Sequence, residues 1–350
     1  MVANSRRPRQ GTITDLVTGL LDRGYSRVAQ PVLAAIAAST SSGLIQQRLR
    51  ELEAESARLD LAGERLAADN PVLRALLADL DDTLRTSARR LDAAAPPLQD
   101  TAASAAGTIQ RQLALPGMTN AQLARIGLRW NTPNPEAVAR LVAYSQSDAW
   151  AALMRQYGDD VLGVVRNQSI QGIAFGWNPL RTAREIRRVT ESLPAHQANT
   201  LMRTLQLTSY RDATAAHQQV NLGIARQIVR IGTLDARACL SCIAQHGQVL
   251  WDSNRDANAP IPRVNDHYAG RCSSVMIVAG RDVSITTGPQ WFAALPPERQ
   301  AQQASFASSP GKFDAFQSGR VTLSDFVTPY TDPVFGPMLR EAGLAQALDK

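Results

Sequence analysis

Cys239 and Cys242 stand as a C-x2-C pair, and His267-Tyr-Ala-Gly-Arg-Cys272 follows downstream. All three cysteines of the 350-residue chain lie between positions 239 and 272, with His246 and His267, two of its four histidines. Three thiols and an imidazole are the number and type of ligand that tetrahedral zinc takes. A C-x2-C turn presents two sulfurs from one tight loop, so His267 and Cys272 must be carried to it by a separate segment. With Cys239, Cys242, His267 and Cys272 all bound, the shell is closed and no position remains for an activated water. The expectation is therefore a structural Zn2+ site. The same residues also fit three buried cysteines beside a surface histidine, or a C-x2-C dithiol with redox chemistry. His246 is a spare fourth ligand, but its place before Gly247 predicts a hairpin turn. His196 and His217 are expected to face solvent from helices.

Two catalytic readings start from short motifs. Asn265-Asp266-His267 after a C-x2-C has the look of an HNH-type nuclease, which needs a further metal-binding His or Asn in a following helix. No histidine follows His267. Ser39-Thr-Ser41 and Glu51-Leu-Glu53 suggest an ADP-ribosyltransferase, but the second motif falls on an amphipathic helix rather than a separate strand. There is no P-loop, no G-x-G-x-x-G and no G-x-S-x-G. The chain is expected to be non-enzymatic.

The elements that must position the four ligands come from a helix-favouring composition. Hydrophobic residues make up 44% and aromatics only 5%, which suits helices packed through Ala and Leu. The net charge is +6 and the pI about 9.6. Lysine occurs only at 312 and 350, and acidic residues are interspersed, so no basic block stands out beyond Arg6-Arg7-Pro8-Arg9. An odd number of cysteines argues against a disulfide framework and fits a reducing compartment. No uninterrupted apolar run nears the ~18–20 residues of a membrane span, and no signal-peptide core follows the basic start.

Four regions are expected: 1–118, an N-terminal arm and amphipathic helices; 119–232, a helical domain; 233–284, a small Cys/His α+β module; and 285–350, C-terminal helices with an extended tail. The fold class is mainly α with a small zinc-stapled α+β module in the C-terminal half. In the first region Leu44/Ile45, Leu49, Leu52, Leu59 and Leu66 recur at helical spacing, and Leu73, Leu76/Leu77, Leu80, Leu84 and Leu91 follow. Asn70-Pro71 predicts an N-cap with Pro at the first helical position. Pro96-Pro97 is expected to end that helix, with 92–107 a linker. Asn-Pro starts recur at Asn134-Pro135 and Asn178-Pro179. The helix from Pro179 should expose the Arg row Arg181, Arg184, Arg187 and Arg188 and bury Leu180, Ala183, Ile186 and Val189. Thr200 to Val229 is expected to stay helical. Ser273–Val278 is expected as a strand, and a module this small would lean on a metal for stability.

The order of features from Gly176 to Phe326, a little under half of the chain, resembles the phage head-morphogenesis family, the Mu F-like minor head proteins of tailed bacteriophages. The matching pieces begin with Gly176-Trp-Asn-Pro179, followed by Ala183, Ile186 and Arg203-Thr204. Asp235 with Cys239-x2-Cys242 and Gly247 comes next, then Pro260, Pro262, His267 and Arg271-Cys272. The tail match comprises Trp291-Phe292, Pro296, Gln300, Gly311, Gly319 and Leu323-Ser-Asp325-Phe326. Two departures stand out: Leu205 replaces a Glu, and Gly270 replaces the first Cys of the family's C-R-C ending. The resemblance implies a minor structural (capsid) protein of the virion head at the portal vertex, assembled in the host cytoplasm and acting in head morphogenesis and in DNA packaging or ejection. The implied partners are the portal protein, the major capsid or scaffolding protein and, non-specifically, packaged DNA, with no membrane. The alternative is a zinc-containing nucleic-acid-binding protein or the HNH-like nuclease.

Overall fold

Leucines at helical spacing form long helices wherever one face can be buried, and in the computed structural model of this protein they do so for most of its length: 64% of residues are helical and 9% are in strands. The structure describes residues 10–350 except Ser42, Asn258, Arg281 and Asp282, with residues 10–18 described by backbone alone. The basic stretch Arg6–Arg9 lies outside the described residues, as do the side chains of Ile13, Leu16 and Val17. In chain order the helices before the first strand are α1 (Gln10–Ser41), α2 (Gly43–Leu61), α3 (Pro71–Ala114), α4 (Asn120–Arg125), α5 (Pro135–Leu141), α6 (Asp148–Ala174) and α7 (Pro179–Gln219). By internal contact the chain forms two compact units, each assembled from separate stretches of sequence. One comprises residues up to Gly24, Gln99–Ala143 and Thr204–Lys350; the other comprises Tyr25–Leu98 and Tyr144–Arg203.

The second unit is all helix. Ile45, Leu49, Leu52 and Leu59 of α2 are buried, as are Leu73, Leu76, Leu80, Leu84 and Leu91 of α3, whereas Leu44 is half exposed. Helices α2 and α3 form a hairpin: Arg48 Nε meets Asp79 Oδ2 at 2.6 Å, and Asn70 Nδ2 donates to Glu55 at 3.2 Å. Asn70 Oδ1 accepts from the backbone N–H groups of Val72 and Leu73, so the N-cap before Pro71 forms as its sequence predicts. Gly43, at φ 63°, lies at the start of α2. Asn178 Oδ1 likewise receives Leu180 N and starts α7. Of the Arg row, Arg181, Arg184 and Arg188 are exposed, while Arg187 forms ion pairs with Glu53 and Glu191.

Two sequence expectations are overturned by the helices. Pro96 and Pro97 do not end α3, and 92–107 is helix rather than linker. Both prolines are exposed, and so are Asp92 and Ala93, whose carbonyls lose their N–H partners and can take water instead. On the opposite face Ala94, Ala95, Leu98, Ala102 and Ala106 are buried, and their packing holds the helix through the interruption. Pro31 and Pro194 are likewise inside α1 and α7. Separately, Gly19–Leu61 contains a window of mean hydropathy 1.4, long and apolar enough by composition to cross a membrane. Within it, Tyr25, Ala29, Ile36, Ile45, Leu49 and Leu52 are buried in the folded chain.

The first unit holds the β-structure. Strand β1 (Ala225–Ile231) is central in an antiparallel sheet of order β2-β1-β3, with β2 at Val249–Asp252 and β3 at Ser273–Val278. Helix α8 (Leu240–Gln245) lies between β1 and β2 in sequence. The expected helix over Thr200–Val229 therefore stops at Gln219, because Ile228, Val229 and Ile231 are buried between two neighbouring strands and suit a pleated surface better than a helix. The strand expected at Ser273–Val278 forms, and all six of its residues are buried. The tail is more ordered than an extended terminus. It contains α9 (Gly288–Ala293), α10 (Pro297–Ala301), α11 (Ala304–Ala307) and α12 (Pro310–Gln317), then an antiparallel hairpin of β4 (Val327–Asp332) and β5 (Gly336–Glu341), and α13 (Leu344–Leu348).

Candidate metal centre

Helix α8 begins on a sulfur. Cys239 is its N-cap, with extended backbone (φ −73°, ψ 157°), and its Sγ accepts from Cys242 N at 3.3 Å. The C-x2-C spacing thus wraps one turn and turns both thiols to the same side. The helix is only six residues long, so tertiary packing must hold it. Leu240 and Ile243 are fully buried in a core with Phe292, Phe306, Phe326 and Val321. Phe306 packs tilted or edge-to-face, at ring-centroid distances of 5.2–6.3 Å, against Phe292, Phe313, Phe316 and Phe326. Glu341, at the end of β5, accepts from Leu240 N at 2.8 Å, from Ser305 Oγ at 2.6 Å and from Lys312 Nζ at 2.5 Å. Residues 285–350 are the floor under the C-x2-C turn.

His267 and Cys272 arrive on a segment without helix or strand, and the structure brings all four expected ligands to one small cavity of about 280 Å³. The ligand atoms of Cys239, Cys242 and His267 lie within 4.8 Å of one another, and so do those of Cys242, Asp266 and Cys272. Cys242 Sγ is 3.3 Å from His267 Nε2. Tetrahedral zinc, with bonds of ~2.0–2.3 Å, needs ligand atoms roughly 3.5–3.8 Å apart, so this cluster could hold a metal ion after small side-chain adjustments. His267 Nδ1 lies 2.8 Å from the Tyr268 carbonyl, which can only accept. That contact puts a proton on Nδ1 and leaves Nε2, the nitrogen facing the thiols, as the one to ligate.

Charge in the cluster is already divided for ligation. A hydrogen bond from Cys242 lowers the Cys239 thiol to about 5, against burial, with His267 assisting. The Cys272 thiol is lowered for the same first reason, its hydrogen bond with Cys242. Cys242, donor to both, is pushed up. Burial disfavours the imidazolium of His267, but Cys239 and Asp266 outweigh it and raise the group to about 10.

No family model, curated protein or solved structure matches this chain.

His246 is not in the cluster: it is buried with Nδ1 accepting from Gly232 N at 2.8 Å. Its turn joins α8 to β2 rather than two strands of a hairpin, with Gly247 at φ 86°. His196 is exposed as expected. His217 is not; it is buried against α3, where a Cβ on Gly107 would lie 2.7 Å from the ring. Helical spacing alone could not tell which side of α7 would be covered at that point.

Sequence reasoning missed three charged residues beneath the site. Asp266, buried to 1%, pairs with Arg211 at 2.8 Å and with Arg230 at 3.7 Å, both arginines 3% exposed. Burial would raise its carboxyl, but Arg211, His267 and Arg230 together hold it at about 2. Asp266 had drawn notice only as the middle of Asn-Asp-His. Arg211 carries no local signal, since it sits on α7, 55 residues away in sequence. Glycine at 270 has a reason here: a Cβ there would overlap the Asp266 carboxylate. With this aspartate in place, position 270 has no room for a cysteine.

Proposed function

We propose that the chain is a structural, non-catalytic minor head protein of a tailed bacteriophage, Mu F-like and portal-associated, with Zn2+ held by Cys239, Cys242, His267 and Cys272. In this reading the metal fastens the small β module, and the surrounding helices contact portal and capsid partners during head morphogenesis and DNA packaging or ejection. One observation supports it most. Four of the sequence pieces that resemble the family, Asp235, the C-x2-C turn, the His267–Cys272 segment and the aromatic tail, converge on one site in one unit, whereas Gly176–Pro179, Ala183 and Ile186 lie in the other. Arg271 pairs with Asp235, and Phe292 and Phe326 lie in the core beneath α8. These runs meet around the Cys/His cluster, which is the arrangement the resemblance calls for.

Four protein ligands fill a tetrahedral shell, which favours a staple over a metal-activated water. Asp266 would be the nearest carboxylate to serve such a water, and it is spent on two arginines. Co-expression with portal and major capsid proteins of a phage encoding the chain tests the assignment: a stable complex with a fixed, low copy number is expected. DNA cleavage with added divalent ion, abolished by His267→Ala, would instead make it a nuclease.

A further inference from the structure

We infer that Arg211 is the positioning residue of the metal centre, setting the spacing of His267 and Cys272 through Asp266 without touching the metal. The inference rests on the reading of the cluster as a metal site. Residues 260–272 contain neither helix nor strand, so no backbone ladder fixes where these two ligands stand. The Asp266 carboxylate replaces one. Its Oδ1 accepts from His267 N and its Oδ2 from Cys272 N, each at 2.9 Å, so one side chain ties both ligand residues. Cys242 Sγ also reaches Oδ1, at 3.5 Å.

That carboxylate is held in turn by Arg211. Its Nη2 donates to Asp266 Oδ2 at 2.8 Å and to the Gly270 carbonyl, and its Nε donates to the Cys272 carbonyl at 2.8 Å. A single guanidinium therefore binds the loop at three places, at 266, 270 and 272. Only a planar fork of donors can do this; a lysine offers one compact charge. Thr204, two turns earlier on α7, adds a fourth tie by accepting from Ala269 N at 2.9 Å. Ala269 has φ 53°, a left-handed conformation that costs a non-glycine residue free energy and is held by these contacts. Metal affinity thus depends on a helix that supplies no ligand.

The test uses the full-length chain. Zinc affinity is measured by chelator competition for wild type, Arg211→Lys and Asp266→Asn, and urea stability is measured for each with and without zinc. Loss of an outer partner of this kind lowers metal affinity about 10–100-fold, and that loss is expected in both variants. Each should lose more stability in the zinc-loaded state than in the metal-free one, and cobalt-loaded protein should show an altered visible spectrum. Unchanged zinc affinity in a folded Arg211→Lys chain, or equal destabilisation with and without zinc, would overturn the role and leave the centre standing. A wild-type chain that takes up no zinc would overturn the centre itself, and the role with it.

Discussion

Arg271 and Asp235 meet as a two-pronged ion pair, Nη1 to Oδ2 and Nη2 to Oδ1, both at 2.7 Å. The pair joins the segment leading into the C-x2-C turn to the residue just before the last ligand. Gln303 holds the other side of that segment, donating to the carbonyls of Asp235 and Ala238.

Asp235→Ala should cost about 1 kcal/mol, because both partners are about one-third exposed and such pairs are screened by solvent. The hydrogen bond from Arg271 holds the Asp235 carboxyl below the usual carboxylate range. Its contribution is therefore present above the unfolded value of about 4 and lost as pH falls through the lower folded value. Urea titrations at neutral and acid pH check this: the gap between wild type and variant should close in acid.

Replacing Cys239 or Cys272 with Ser should release the metal and loosen residues 233–280, while the helices of the other unit keep their protection. Metal analysis and hydrogen exchange resolved by segment measure the two halves of that statement. A freshly reduced wild-type preparation without stoichiometric zinc would contradict it.

Metal uptake at pH 7 should release protons from Cys242, whose thiol is pushed up, and from His267, raised to about 10. Cys239, near 5, is already a thiolate and contributes none. Calorimetry in buffers of different ionisation enthalpy should therefore report net proton release on metal binding, at least from these two groups. Affinity should weaken steadily as pH falls.

At position 270 even alanine should be refused. Its Cβ would overlap the Asp266 carboxylate, which is pinned by two arginines and cannot step aside. Overpacking of this kind costs about 1–3 kcal/mol, and Gly270→Ala should show it both in denaturation and as weaker zinc retention.

His217 provides a pH test away from the cluster. Burial lowers its pKa in the fold, so the native state disfavours the imidazolium. Stability is complete above the unfolded value of about 6.5 and falls as pH drops below it. His217→Gln should flatten that part of the stability profile.

Local signals were legible where side chain and backbone act within a turn: Asn70, Asn134 and Asn178 before proline each cap a helix. The Cys/His cluster was legible because cysteine is rare and its spacing is chemically specific. Pro96-Pro97 misled because a helix with one packed face tolerates missing N–H groups on its wet face. Ile228 and Val229 continued a helical rhythm, and only their strand neighbours made them β. Arg211 and Asp266 were invisible for a different reason: a buried ion pair between distant residues looks, in sequence, like two ordinary surface charges.

The interleaving of the two units has a consequence for biogenesis. Every residue of the all-helical unit has been synthesised by Arg203, whereas the ligands span 239 to 272 and their aromatic floor reaches Phe326. A chain emerging from the ribosome N-terminus first can complete that unit before it has a thiol to offer. If the cluster takes the metal proposed for it, loading is a late step, and a chain left without it would be half-matured with its first-formed helices complete.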